Sequence, residues 1–203
     1  MSAVIQIKLN PTDVANVKKM LWAVEEKVPV VLSRSINKTL DGVKTDASTE
    51  IRAVITAKKS MVDKTFKTMK STPKFLSARF ESRGRPLPLI EYSARQTAKG
   101  VSVQVKRQEA RKVIAGTFIA TMKSGHKGVF WREWHAAERK PKDKRMAYSK
   151  LPKRYRLPIE QRFGPRVPDI LENMPVMNAV LSKADDRLHK NIEHELSFEV
   201  SKL

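Results

Sequence analysis

The sequence predicts an α+β fold: long N-terminal helices, a small central antiparallel sheet of about four to five strands, and a C-terminal amphipathic helix. Three observations carry that prediction. Leu32, Ile36, Leu40, Val43, Ala47, Ile51 and Val54 advance 22 residues in six steps, the period of a helical stripe. Val101, Val103 and Val105 alternate with Ser102, Gln104 and Lys106, the period of a half-buried strand. Met177, Leu181, Ala184, Leu188, Ile192, Leu196 and Val200 then return to helical spacing near the end.

The elements follow in order. Ile5, Ile7 and Leu9 alternate with Gln6 and Lys8, predicting a short first strand. Asn10-Pro11-Thr12-Asp13 reads as a helix start. Asn10 can cap, Pro11 suits the first turn, and Asp13 favours the positive end of the helix. Val14, Val17, Leu21, Val24 and Val28 form its apolar face, which Pro29 interrupts. A second helix is expected over about 30–56, with Arg34, Lys38, Asp41, Lys44 and Thr45 on its outer face. Val62, Phe66 and Met69 extend the helical pattern until Pro73. A single apolar stripe cannot form a core alone, so this arm should lie on a sheet or on a neighbouring subunit. Residues 1–73 are therefore read as a strand and helical arm.

Residues 74–135 form the β region. "KFLSARFESRG", "LPLIEYSAR", "GVSVQVKR", "KVIAGTFIATM" and "KGVFWREW" read as strands between glycine and proline breaks. The stretch "GTFIATMKSGHKGVFWREW" lacks the spacing of a Walker loop and suits a hairpin turning at Gly125 to Gly128. Trp131 and Trp134 on it are expected to pack or to line an interface. Residues 136–167 read as a basic, Pro-rich extended connector, and 168–203 as the final helix.

Charge bounds the partners. The chain of 203 residues carries 41 Lys or Arg against 21 Asp or Glu, a net +20. Such a field implies an acidic protein surface or a polyanion. It is concentrated in "RKPKDKRMAYSKLPKRYR", where nine residues are basic and Asp143 alone is acidic. Residues 169–203 hold seven acids and four bases. Lys140, Lys142, Lys144, Arg145, Lys153 and Arg154 are accordingly predicted to face protein, with Asp185, Asp186, Glu193 and Glu195 of an adjacent copy as one acidic counterpart. There is no cysteine for disulfides or thiolate metal sites. Apolar runs fall short of the ~18 residues of a membrane span, so no membrane partner is expected. The first residues, "MSAVIQIKLNP", lack the features of a signal peptide.

A catalytic constellation is not expected, nor any cofactor or metal. His194-Glu195 opens like a zincin motif, but Phe198 stands where the second histidine is needed. His189 and Glu193 lack a third ligand, and His126 and His135 face no recognisable nucleophile. Nucleic-acid binding is the rival reading. Charge supports it, but no zinc finger, helix-turn-helix or paired aromatic strand motif accompanies the charge.

Four segments in order carry a further resemblance: "LSRSINKTLDGVKTDASTEI", "GRPLPLIEYSARQTAKGVSVQV", "IAGTFIATMKSGHKGVFWR" and "RLPIEQRFGPRVPDIL". Together they resemble the prophage minor tail protein Z family of tailed bacteriophages, over about residues 30–200. The resemblance implies a structural virion protein, a minor tail or tail-completion protein at the head–tail junction, assembled in the bacterial host cytoplasm and without catalytic residues. It implies copies of itself in a six- or twelve-fold ring, and contacts with neck, connector, tail-terminator or tail-tube proteins. The alternative is a basic DNA-binding accessory protein that holds the genome end, with non-specific DNA contact.

Overall fold

The structure is a computed structural model and describes residues 2–21, 26–132 and 159–202. It is α+β, as predicted, with a long helix towards each end and antiparallel strands between them. Among the described residues the strands make three sheets of three rather than one central sheet. The chain divides into two compact units, and both are discontinuous in sequence: Met1–Ala53, Lys59–Arg85 and Arg166–Leu203 form the first, Val54–Lys58 and Pro86–Pro165 the second.

In the first unit, β1 (Ala3–Lys8) pairs antiparallel with β3 (Ser77–Ser82), and β3 with β2 (Phe66–Met69). Strand alternation puts Ala3, Ile5 and Ile7 on the buried face beside Ala78 and Phe80, while Val4, Gln6 and Lys8 are exposed. Helix α1 (Pro11–Met20) starts where expected: the Asn10 side chain accepts a hydrogen bond from the Thr12 backbone N–H at 3.2 Å.

Helix α2 (Val28–Val54) carries Pro29 inside its first turn, where the missing N–H has no intrahelical partner to lose. Six of its seven predicted stripe positions, from Leu32 to Ile51, are fully buried. The helical pattern stops sooner than predicted. After α3 (Lys59–Asp63) the chain turns into β2, so Phe66 and Met69 lie on a strand. Phe66 packs against Phe80 with the rings tilted and their centres 4.9 Å apart, and pairing with β3 overrides the local helical spacing.

Short α4 (Val167–Leu171) leads into α5 (Met174–Val200), which runs antiparallel to α2. The pairing reads directly from ionic contacts: Glu50 meets Lys183, Asp46 meets Arg187, Lys38 meets Glu195 and Arg34 meets Glu199. Each step up one helix is matched by a step down the other. The buried stripe of α5 is Val176, Val180, Ala184, Leu188, Ile192 and Leu196. Two predicted members of that stripe are corrected, because Leu181 and Val200 are exposed, while Met177 at its start is half-buried.

The arm that sequence alone leaves in need of a neighbour therefore finds one in its own chain. Ser35 and Thr39 form a second buried line on α2 beside the apolar one. Ser35 Oγ donates to the Asn191 carbonyl at 3.2 Å, and Asn191 Nδ2 donates to Thr39 Oγ1 at 3.0 Å. Small polar residues let the helices approach closely while the Ser35 and Thr39 hydroxyls keep hydrogen-bond partners. Asn37 is bonded both ways with the Ser71 backbone, tying α2 to the loop between β2 and β3.

The second unit holds the other two sheets. One is β4 (Arg95–Thr97), β5 (Gly100–Val103) and β6 (Lys112–Ala115), with β5 central. The other is β7 (Thr117–Thr121), β8 (Lys127–Arg132) and β9 (Ile159–Gln161), with β8 central. "LPLIEYSAR" is mostly not a strand: Leu89–Glu91 is a single 3-10 turn, after which Tyr92 is fully buried. Its phenol donates to the Pro165 carbonyl at 3.0 Å. "KVIAGTFIATM" is two strands, broken at Gly116.

The β7–β8 hairpin is present, but its turn falls earlier than Gly125 to Gly128. Gly125 N–H donates to Met122 O at 2.9 Å and Met122 N–H to His126 O at 2.8 Å, leaving Lys123, Ser124 and Gly125 at the tip. Gly125 takes the left-handed conformation (φ 80°) that a three-residue hairpin loop requires. Gly128 lies within β8, buried against Phe130.

Candidate interaction surfaces

Of the residues that charge and sequence singled out, Trp134, Lys140, Lys142, Lys144, Arg145, Lys153 and Arg154 lie outside the described residues, as does His135. Trp131 is in β8 and half-buried. Its indole Nε1 donates to Glu160 Oε2 at 3.0 Å, and the Arg162 guanidinium sits 4.1 Å over its ring. Its polar edge and one ring face are thus already engaged within the sheet. On the opposite face, Arg132 covers Phe118 at 4.2 Å.

The four acids of the last helix have different surroundings. Asp185 and Asp186 are exposed, and among the described residues neither takes a salt bridge. Glu193 is exposed too. Glu195 is not, which corrects its proposed role towards an adjacent copy. It is 4% exposed and committed to Lys38 and Arg34 of its own chain. Glu199, equally buried, accepts from Arg34 Nη1 at 2.8 Å and Lys27 Nζ at 3.0 Å.

This clasp explains how two carboxylates lie on an otherwise apolar face: they are spaced four residues apart, one helical turn, and the cations of α2 project over both. The Lys27 ammonium, helped by Arg34, holds the Glu199 carboxyl below its ordinary range against the opposing effect of burial. The folded value lies below the unfolded one, so the stabilisation is present above the ordinary carboxylate range. It is lost as pH falls through that range to the folded value. The melting temperature should therefore fall on acidification below about pH 5, and Glu199→Gln should flatten part of that fall. Melts at a series of pH values check it. An unchanged acid slope in the variant would remove Glu199 from the account.

Among the described residues no three His, Cys, Asp or Glu come together as a metal cluster. His189 Nδ1 stands 3.7 Å from Asp13 Oδ1, beside a shallow groove floored by Val17, Ile192 and Leu196. No described helix is long and apolar enough to cross a membrane.

The charge surplus is uneven. The described residues of the second unit carry eleven Lys or Arg and three Asp or Glu. Each of those acids is already engaged: Glu91 with Lys58, Glu160 with Trp131, and Glu109 with Lys106 and Lys112. The two lysines hold the Glu109 carboxyl down to about 2. This unit also contains a groove of about 900 Å³, lined by Leu89, Val103, Ile114 and Phe163 with Lys106, Lys112, Glu109 and Arg162.

Sequence reasoning missed both the clasp and the groove. A signal for the first existed, since Glu195 and Glu199 share a helix face with Ile192 and Leu196. The groove joins residues some fifty positions apart, and no local pattern announces it. No family model, curated protein or solved structure matches the chain.

Proposed function

We propose that this chain is a structural subunit of a tailed-bacteriophage virion, a minor tail or tail-completion protein that acts through protein–protein contacts at the head–tail junction. The supporting observation is the ordered set of four segments running from Leu32 to Leu171 that resemble the minor tail protein Z family. The α+β subunit is compatible with that reading, and the strongly basic second unit supplies a surface that attracts acidic protein neighbours. In this reading identical copies form a ring of six or twelve, since cyclic symmetry repeats one heterologous contact until it closes. No catalytic step is assigned.

Reconstruction of purified particles should place this chain around the tail axis near the neck, in a whole-number ring. Particles without the gene product should carry incomplete or unjoined tails. Normal particles lacking the chain would reject the reading.

The basic DNA-binding reading is favoured by one observation, the excess of cations over acids on the second unit. It predicts duplex DNA affinity that falls steeply with salt. Particles that assemble normally but lose DNA when surface lysines of that unit are reversed would favour it over the structural one.

A further inference from the structure

We infer that the groove of the second unit is a docking site for an extended acidic segment of another protein, one that alternates carboxylates with aliphatic side chains. This does not depend on the virion reading, because it rests on the groove's own chemistry. The floor is aliphatic: Leu89 and Val103 are almost wholly buried, Ile114 stands beside them, and Phe163 leaves 51% of its surface to solvent. At about 900 Å³ the groove lies at the upper end of the size range of ligand-binding clefts.

The rim decides the sign of the occupant. Among the described residues Lys106, Lys112 and Arg162 line it against one acid, Glu109. Glu109 sits between the two lysines, at 2.8 Å from Lys106 Nζ and 2.9 Å from Lys112 Nζ. Each ammonium has three donors, and this contact uses one. Lys106 and Lys112 are 59% and 75% exposed, so donors remain for an arriving carboxylate. Glu109 acts as a spacer that keeps two cations side by side, a local arrangement that a diffuse positive surface lacks.

The same details select protein over nucleic acid. Successive unstacked bases are usually held on several aromatic rings, and among the described lining residues Phe163 is the one aromatic ring. Glu109 at the rim opposes a phosphate backbone. Aliphatic side chains, by contrast, gain from covering Leu89, Val103 and Ile114. The exposed acids Asp185, Asp186 and Glu193 do not form such a segment, because they lie on α5, a continuous helix.

The test uses the full-length protein and a fluorescent peptide alternating valine and glutamate, read by anisotropy. Comparison probes are the same peptide with serine for valine, the same with lysine for glutamate, and a single-stranded oligonucleotide. The valine–glutamate peptide should bind and the other peptides should not. Lys112→Glu should weaken it about tenfold. Lys99→Glu, an exposed cation of the same unit outside the groove, should change it less than about twofold. Should Lys112→Glu melt early, Phe163→Ser provides the second measurement and should also weaken binding. Absence of peptide binding overturns the proposal. So do equal losses for Lys112→Glu and Lys99→Glu, which mean a diffuse field, and tighter oligonucleotide binding that displaces the peptide, which means a nucleic-acid surface.

Discussion

Gly100→Ala should unfold or severely weaken the second unit, costing ~3 kcal/mol or more. A Cβ at this position would lie 2.1 Å from the Ile114 carbonyl oxygen and 2.9 Å from its carbon. Both are backbone atoms of the paired strand β6, so no side chain can swing away to make room. The backbone itself has φ 153° at Gly100, a conformation that L side chains rarely adopt. The Ile114 carbonyl also accepts from Thr117 Oγ1 at 2.6 Å, and Thr117 Oγ1 accepts from Val101 N–H at 3.0 Å. Displacing it therefore opens a buried hydrogen-bond bridge as well as the β5–β6 pairing. Thermal or denaturant melts should show a large loss, and hydrogen exchange should localise it to residues 100–117. A variant that melts with the parent protein would mean that β6 shifts freely, which this packing denies.

Leu40→Ala should cost ~2–5 kcal/mol, the usual penalty for emptying a buried leucine site. Leu40 is fully buried at the middle of α2. The informative part is concentration. A stripe covered by a neighbouring copy would give a loss that diminishes as protein concentration rises, through mass action. A stripe covered by its own chain gives the same loss at every concentration, and that is the expected result. Lys44→Ala, one turn away on the exposed face, should stay within about 0.5 kcal/mol. Denaturant titrations over a wide range of protein concentration separate the cases. A concentration-dependent loss for Leu40→Ala would return the stripe to an intersubunit contact.

What could be read in advance follows from the range over which each signal acts. The helical stripe from Leu32 to Ile51, the alternation of Ile5 and Ile7, and the Asn10 cap depend on residues within a turn or two of each other. Their burial and bonding match the local pattern. Phe66 to Met69 failed for the opposite reason. Their spacing suits a helix, yet an open edge of β3 was available, and antiparallel pairing with it satisfies backbone groups while bringing Phe66 onto Phe80.

By itself the sequence determined the α+β class, α2 to within two residues at each end, the β7–β8 hairpin and the basic character of the chain. These are properties of local periodicity and composition. Only the tertiary structure decided what covers α2, that Glu195 and Glu199 are bound inward by Arg34 and Lys38, and that β6 and the 161–165 segment enclose a cation-rimmed groove. Each of those depends on residues brought together from distant parts of the chain. Hydrophobic spacing shows that a face must be covered, but burial is non-directional and does not name the surface that covers it.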